Sequence, residues 1–237
     1  MEANGKQKVQ LFLILAMLVS AIRVGWIFYE RHQEAKAPAK QEAPPLNPDY
    51  YVTPKKLYLY DFKTAKQQLV QQPAWVKVGY FYSYYPYDSA THRADLAHDA
   101  GKLLPIQKLE IKDVFRQPSP GGERKVMVVF QQDGKNYATG VGNEKNGDYK
   151  FYCNDMLFFE DPHLLYKHWP ADVWQAIDQH QVKPGMSELQ ADFAIGVGLL
   201  EQGDDTDRMF EYPNGGKPLV VSYHSGKAIV VKPGKNE

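Results

Sequence analysis

Cysteine is almost absent from this chain of 237 residues, which contains only Cys153. A single cysteine excludes an internal disulfide, and no cysteine lies near the N-terminus to accept a lipid. Because exported proteins usually avoid a spare thiol, we expect Cys153 to be a small buried side chain within a strand. No histidine lies beside it in the sequence to activate it as a nucleophile.

An excess of charge of one sign is also missing. The chain has 28 Lys and Arg residues against 28 Asp and Glu residues, so its formal net charge is zero. The basic residues are spread along the sequence, whereas nucleic-acid binding needs them concentrated on one surface. We therefore predict no nucleic-acid partner.

Catalytic and nucleotide-binding motifs are lacking as well. No Gly-x-Ser-x-Gly nucleophile elbow occurs. The Gly-Val-Gly runs at 140–142 and 196–198 lack the further glycine and the acidic residue of a dinucleotide fingerprint, and they are typical of strand and helix ends. The sequence thus predicts a protein that is not an enzyme and needs no cofactor.

One long apolar run, VQLFLILAMLVSAIRVGWIFY from Val9 to Tyr29, predicts a membrane anchor. Its length of about 31 Å, at about 1.5 Å per residue, matches a hydrocarbon core of about 30 Å. Aromatic residues close the run, where an interfacial belt is expected. The residues that we expect to define the anchor are Leu11, Leu13, Leu15, Leu18, Arg23, Trp26 and Tyr29.

A cleavable signal peptide is the alternative interpretation of this run. Lys6 and Lys8, an apolar stretch and then Val-Ser-Ala at 19–21 fit a signal sequence with a small-residue exit. The apolar character that resumes after Arg23 favours an uncleaved anchor. Arg23 either extends its side chain toward the interface or pairs with an acidic group of a partner helix.

The position of this run predicts the location of the protein. Lysine and arginine flank both ends, so counting them does not decide the orientation. A short basic N-tail that stays inside is the usual arrangement of such anchors. We therefore expect a single-pass protein of the bacterial inner membrane, with its C-terminal part in the periplasm and the lipid bilayer as one partner.

Composition and periodicity divide the chain into segments and predict an α+β fold. The predicted segments are a basic N-tail at 1–8, the anchor at 9–29, a Pro/Ala-rich tether at 30–49, a β-rich module at 50–160, an α+β module at 161–233 and a tail at 234–237. In the β-rich module, tight turns at Asp133-Gly134 and Asn146-Gly147 separate short strands. This strand rhythm predicts a small barrel or rolled sheet, similar to an SH3-like barrel.

The pattern becomes helical after Glu160. Asp161-Pro162 predicts the start of a short helix, and Pro170 predicts the start of a second. Ser187 and Gln190 form a capping box that opens a third helix. Three strands are then predicted at 208–212, 218–223 and 228–232.

The C-terminal residues carry a family resemblance. VWQAIDQHQVKPGMSELQADFAIGVG, followed by KPLVVSYHSGKAIVV, resembles the BamE-like (SmpA/OmlA) fold, which combines two helices with a three-stranded antiparallel sheet. The matching residues are Val182, Gly185, Met186, Ser187 and Leu189, with Gly196 near the helix end, and Gln190 joins this fold motif through the capping box. Members are typically small lipoproteins of the outer-membrane protein assembly machinery, whereas this chain has no lipid-accepting cysteine and adds an anchor and a β region. The resemblance implies a fold, an envelope address and a protein partner there, and the whole chain resembles a single-pass bacterial envelope protein.

Two clusters of polar residues are candidate metal sites. The first comprises His92, Asp95, His98 and Asp99, which would lie near one another if the segment were helical. The second comprises Glu160, Asp161, His163 and His168, although Asp161 is already explained as a helix cap. Neither has His-x-x-x-His spacing, and charged residues before Gly101 are equally typical of an exposed helix or loop.

An aromatic run from Gly79 to Tyr87 is the best binding candidate. On a strand, Tyr80, Tyr82 and Tyr84 would share one face, and Phe81 and Tyr85 the other. One face would then pack in the core and the other would stack on a glycan or peptide, with Tyr87 contributing. The alternative is that both faces are packed inside.

These observations leave two functional interpretations. We expect a membrane-anchored envelope protein with a non-catalytic role in protein interaction or assembly. The alternative is an extracytoplasmic ligand-binding or metal-dependent enzyme domain that uses the 92–99 segment and the 80–87 aromatic run. The sequence does not identify the partner or the oligomeric state.

Overall fold

The computed structural model describes residues 5–36, 46–119 and 122–235. The chain divides into two compact units at the boundary between Asn47 and Pro48. Parts of the predicted N-tail at 1–8, tether at 30–49 and tail at 234–237 lie outside the described residues. The chain combines helix and sheet, at 31% and 35% of its residues, as the sequence predicts.

The first unit contains one helix, α1, at Gly5–Lys36. It is longer than the predicted anchor at 9–29 and continues into the predicted tether. The stretch Lys8–His32 has a mean hydropathy of 2.3 and is long and apolar enough to cross a membrane, although a signal sequence would pass the same test. Near its end, the Trp26 indole Nε1 donates a hydrogen bond to the Glu30 carboxylate over 2.8 Å.

The second unit begins at Pro48 and contains every strand among the described residues. Its first part contains a 3₁₀ helix at Pro48–Tyr51, α2 at Phe62–Val70, β1 at Ala74–Val76, β2 at Ser83–Asp88, β3 at Arg93–Ala94, β4 at Gly101–Lys102, β5 at Lys108–Leu109, β6 at Ile111–Pro118, β7 at Arg124–Gln132, β8 at Lys135–Lys145 and β9 at Asp148–Phe151. Its second part contains α3 at Cys153–Met156, β10 at Leu157–Phe158, α4 at Pro162–Leu165, α5 at Ala171–Asp178, α6 at Glu188–Ile195, β11 at Leu199–Gly203, β12 at Asp207–Tyr212, a 3₁₀ helix at Asn214–Gly216, β13 at Leu219–His224 and β14 at Lys227–Pro233.

The strands of the first part form an open sheet. Its order is β3-β2-β8-β7-β6, with β4 also on β2 and β9 also on β8, and all of these pairs are antiparallel. The predicted SH3-like barrel is not confirmed, because no pairing among the described residues closes this sheet. The hairpin turns are confirmed: Asp133-Gly134 and Asn146-Gly147 all have positive φ, as tight primed turns require.

A small sheet of order β10-β1-β5 separates two hydrophobic cores. The first core lies under α2, whose N-cap Asp61 accepts a hydrogen bond from the Thr64 backbone N–H. Because side chains alternate along a strand, Leu157 of β10 belongs to the first core and Phe158 to the second. Cys153 is buried as predicted but lies in α3 rather than in a strand, and burial raises its pKa to about 11.

The second core lies between the helices α5 and α6 and a four-stranded antiparallel sheet of order β11-β12-β13-β14. Trp174, Phe193 and Tyr212 are among its buried side chains. The three predicted strands correspond to β12, β13 and β14, and the prediction of a three-stranded sheet is wrong because β11 is a fourth strand. β11 was missed because it is short, lies between two glycines and shows no alternation of apolar and polar residues.

The chain that leads into these cores is held by side chains rather than by a sheet. The Asp49 carboxylate accepts a hydrogen bond from the Trp169 indole over 2.7 Å. The Glu160 carboxylate accepts one from the Lys55 backbone N–H over 2.9 Å. The Asn154 amide bonds both to the N–H and to the carbonyl of Leu57, over 2.9 and 2.8 Å.

The predicted capping box at the start of α6 is confirmed. The Ser187 hydroxyl accepts from the Gln190 backbone N–H, and the Gln190 side chain accepts from the Ser187 N–H. We expect Ser187→Ala to lower the free energy of unfolding by about 1 kcal/mol, because it leaves a helix N–H without a partner. Urea unfolding followed by tryptophan fluorescence measures this, and Ser187→Asp, which can still cap, is expected to recover most of the loss.

Candidate functional site

The edge strand β11 is the most exposed strand of the four-stranded C-terminal sheet. All five residues of β11 are exposed, and Leu199 and Leu200 are 64% and 58% exposed. One side of β11 pairs with β12, and no strand among the described residues pairs with the other side. The backbone groups on that side are therefore available to another chain.

An apolar groove of about 290 Å³ adjoins the start of β11, and we call it the Tyr80 groove. Phe81 and Val197 at its rim are 66% and 48% exposed. The groove is lined by Val78, Gly79, Tyr80, Phe81, Ile195, Gly196, Val197, Leu199, Pro213 and Asn214. The β11 edge and the Tyr80 groove share Leu199, so they form one continuous surface.

Tyr80 lies in a turn and not on a strand. Its φ is +58°, and its backbone N–H donates to the Leu103 carbonyl over 2.7 Å. Its ring lies against Gly215 and Gly196, where a Cβ would approach within 2.7 and 3.1 Å of ring atoms. The strand expected through the aromatic run does not include Tyr80, because the chain turns between β1 and β2.

The other tyrosines of the run are therefore not on one shared face with Tyr80. Tyr82 stacks on Tyr152, with 6.2 Å between ring centroids, and Tyr84 packs against Phe130 of the first core. These two correspond to the alternative in which the run is packed inside. Tyr87 is also placed elsewhere: it packs against Phe115 and lies 3.1 Å from the His92 imidazole.

Two glycines hold the ends of β11 in place. At the start, Gly198 lies on the Tyr212 ring, where a Cβ would come within 2.6 Å of ring carbons. At the end, Gly203 has a φ of +140°, and a Cβ there would lie 2.2 Å from the Asp207 carbonyl oxygen. Larger residues are therefore excluded at both positions, and pairing with β12 already holds β11 in an extended conformation.

The Asp192 carboxyl group forms a hydrogen bond with the residue that precedes β11. Its Oδ1 accepts a hydrogen bond from the Gly198 N–H over 3.4 Å. Burial raises its pKa to about 7, and the neighbouring Glu188 carboxylate adds to the rise. Folding therefore favours the protonated form of Asp192.

This pKa predicts the stability of a variant. In the unfolded chain the pKa is near 3.8, so the cost of ionising Asp192 in the folded state grows from about pH 4 and is complete above about pH 7. The full shift corresponds to about 4 kcal/mol, and because Asp192 is only partly buried we expect Asp192→Asn to raise the free energy of unfolding by about half of that near pH 8 and to change it little near pH 4. Urea unfolding at both pH values measures this, and an equal effect at both would contradict the assignment.

The far end of β11 is acidic. From Pro184 to Asp207 the sequence contains no Lys, Arg or His, whereas Glu201, Asp204 and Asp205 are exposed at and just after β11. The Asp204 carboxylate accepts from the backbone N–H groups of Thr206 and Asp207, and these bonds lower its pKa. The site thus has an apolar end and a negatively charged end.

The first predicted metal cluster does not converge on one point. The 92–99 segment contains β3 and turns instead of a helix, because Arg93 and Ala94 pair with β2. Three separate contacts result, and they are His92 with Tyr87, His98 with Asp95 over 3.0 Å, and Asp99 with Ser83 over 3.3 Å. A hollow of about 310 Å³ lies beside Tyr87 and Asp95.

The second predicted cluster is also divided among different partners. His163 lies between the Asp161 and Asp178 carboxylates, at 3.0 and 3.2 Å, and it stacks on Trp174 beside a cleft of about 470 Å³. His168 pairs with Asp49 over 2.6 Å, and Glu160 bonds to the backbone of Lys55. In the part of the chain that the structure describes, no group of three or more His, Cys, Asp or Glu side chains is arranged to hold a metal ion.

Comparison with protein-family models, with curated proteins and with solved structures finds no match to this chain. The resemblance to the BamE-like fold therefore stays a prediction from the residues. The candidate site rests on the geometry of β11 and the Tyr80 groove.

Sequence reasoning found only part of this site. Tyr80 was a candidate, for a different reason, and β11 was not predicted. The available signal was local: Leu-Leu-Glu-Gln is bounded by Gly198 and Gly203 and is followed by the turn-forming run Asp-Asp-Thr-Asp. The fold brings Leu199 and Leu200 into one exposed surface with Phe81, which is far from them in the sequence.

Proposed function

We propose that this chain is a single-pass protein of the bacterial inner membrane whose folded unit lies in the periplasm and binds another protein of the envelope, with no catalytic role. The apolar helix α1 supports the membrane location. The β11 edge with the Tyr80 groove supports the binding role. A protein that works by contact needs such a surface, and it needs no reactive centre.

The observation that carries the proposal is the contrast between the two edges of the C-terminal sheet. Natural sheets protect their edges with lysine, proline or a covering loop. The β14 edge has Lys232 and Pro233, and its start is covered by the loop at 185–187, where Gly185 N–H donates to the Ala228 carbonyl. Both edges expose apolar side chains, Ile229 and Val230 on β14 and Leu199 and Leu200 on β11, but β11 contains no lysine or proline and adjoins a preformed groove.

Photocrosslinking in the native membrane tests the binding role. A photoreactive phenylalanine analogue replaces Leu199 in the full chain, and in a matched control it replaces Leu164, which is 72% exposed on α4. We expect a discrete adduct with another protein from position 199 and none from position 164. The same outcome at both positions, whether adducts or none, would contradict the proposal.

Thiol labelling tests the orientation. Leu46 is exposed just before the second unit, and the native Cys153 is fully buried, so Leu46→Cys creates one accessible thiol. We expect a membrane-impermeant maleimide to label this variant in spheroplasts and to leave the parent chain unlabelled. Protection of the new thiol until the membrane is lysed would place the folded unit in the cytoplasm.

A further inference from the structure

We propose that the β11 edge takes up an extended segment of another protein as an additional antiparallel strand, and that this segment is basic in its N-terminal half and apolar in its C-terminal half. The inference rests on the proposed function and adds to it the binding mode and the chemistry of the partner. Three features of the surface specify the segment, and they are the backbone, the groove and the charge.

The backbone of β11 specifies an extended conformation. The five residues of β11 extend about 17 Å at about 3.4 Å per residue, with a β-bulge at Glu201, so the strand can pair with a segment of similar length on either side of that bulge. All of the strand pairs in the C-terminal sheet are antiparallel, and antiparallel pairing is slightly more stable per residue than parallel pairing. Since β11 is already extended against β12, binding needs little ordering of this strand.

The Tyr80 groove specifies the apolar half of the segment. In an antiparallel pair, the C-terminal half of the incoming strand lies beside Leu199 and the groove. Leu199, Phe81 and Val197 there are all at least 48% exposed, so an apolar side chain that covers them removes apolar surface from water. The groove volume of about 290 Å³ accommodates an aromatic or branched aliphatic side chain.

The acidic end specifies the basic half. The N-terminal half of an antiparallel partner lies beside Glu201, Gly203 and Asp205. The basic side chains nearest this end in the sheet are already paired, Arg208 with Glu188 of α6 and His224 with Asp207. Lysine or arginine on the incoming strand would supply the missing opposite charge across the pair.

The same charge argument disfavours a second copy of this chain as the occupant. In a symmetric antiparallel pair of two β11 strands, Glu201 at the middle of one strand would lie opposite Glu201 of the other, and the acidic end of each strand would lie beside the apolar end of the other. Opposite charges across strands stabilise a pair, whereas like charges destabilise it. We therefore assign the edge to a different protein.

Peptide binding to the full chain in detergent micelles tests the inference. The probes are the fluorescent peptides KRTQVTVTF, the acidic version EETQVTVTF and the proline-interrupted version KRTPVPVTF. Fluorescence anisotropy measures their affinities. We expect the first peptide to bind, and to bind more weakly as the ionic strength rises. The acidic version is expected to bind about tenfold more weakly, and the proline version not to bind, because proline removes backbone donors.

Variants of the protein make the test specific to this edge. The double variant Glu201→Lys/Asp205→Lys reverses the charge at exposed positions, and we expect it to prefer the acidic peptide over the basic one. Phe81→Ser/Leu199→Ser is expected to weaken both peptides about tenfold. The matched control Leu164→Ser removes an equally exposed leucine elsewhere and is expected to leave both affinities unchanged. An unfolding transition like that of the parent confirms that each variant is folded.

Equal affinity for the basic and acidic peptides, undiminished binding of the proline version, or no binding of any peptide would overturn the inference. So would concentration-dependent dimers of the chain that dissociate in Phe81→Ser/Leu199→Ser, because the edge would then belong to a second copy. These failures leave the proposed function standing if the position-199 adduct with another protein still forms. Loss of that adduct would contradict the proposed function itself.

Discussion

Phe158→Ala is expected to lower the free energy of unfolding by about 3–5 kcal/mol, the largest effect of a single substitution considered for this fold. Phe158 is 1% exposed and its ring packs against Phe193 and Tyr166 of the second core. Because β10 also borders the first core, the cavity would open at the wall that the two cores share. Urea unfolding of the full chain in micelles, followed by tryptophan fluorescence, measures the loss.

The control for this prediction is Leu164→Ala. Leu164 is exposed on α4, so its truncation is expected to change stability by less than about 0.5 kcal/mol. A loss below about 1 kcal/mol for Phe158→Ala would show that the second core does not depend on β10. Two separate unfolding transitions in the parent would likewise show that the two cores are not coupled through this strand.

Leu15→Lys combined with Leu18→Lys is expected to abolish membrane attachment. Each lysine near the middle of a spanning helix costs about 2.5–3.5 kcal/mol of insertion free energy, so the pair costs roughly 5–7 kcal/mol. Both leucines lie within the apolar stretch Lys8–His32. We expect the parent chain to stay in carbonate-washed membranes and the variant to appear in the supernatant or to be degraded.

The control Leu15→Ala/Leu18→Ala keeps the helix uncharged and is expected to remain in the membrane fraction. The intact mass of the parent separates an anchor from a signal peptide. A mature chain that begins after Ala21 would contradict the anchor, and so would release of the parent by carbonate.

Local signals in the sequence predicted local structure well. The turns Asp133-Gly134 and Asn146-Gly147 and the capping box of Ser187 are confirmed, because each depends on residues only a few positions apart. The mixed helix and sheet content is also confirmed. It too depends on a local signal, because helices and strands differ in the period at which apolar residues recur. The length of α1 beyond Tyr29 was missed, since helix propensity continues after hydrophobicity ends.

Structure that depends on contacts between separate elements was not predicted. Gly79 has Pro105 so close that a Cβ would lie 2.3 Å from its side chain, and this contact belongs to the turn that breaks the expected strand. The segment at 92–99 pairs with β2, which the charge pattern could not reveal. The start of β11 is positioned by the Tyr212 ring and the Asp192 carboxyl group, both of which contact Gly198. The apolar pattern of β11 itself does not indicate either contact.

The candidate site shows the same division. Residue chemistry identified tyrosines and histidines, but each of these residues has several plausible partners, and the fold distributes them among separate contacts. The edge of a sheet is a property of topology, because a strand is an edge only when no other strand lies beside it. No pattern within Leu199–Gly203 carries that information.

The side-chain bonds that hold the start of the second unit have a mechanical consequence. Asp49, Lys55 and Leu57 are bonded one after another along the chain to Trp169, Glu160 and Asn154. A pulling force arriving from the N-terminal side would load these bonds in sequence, so that they peel apart singly, whereas strands sheared lengthwise share the load. Release of the last of these bonds would also withdraw Leu57 from the first core, so the resistance would rise as the entry segment came away.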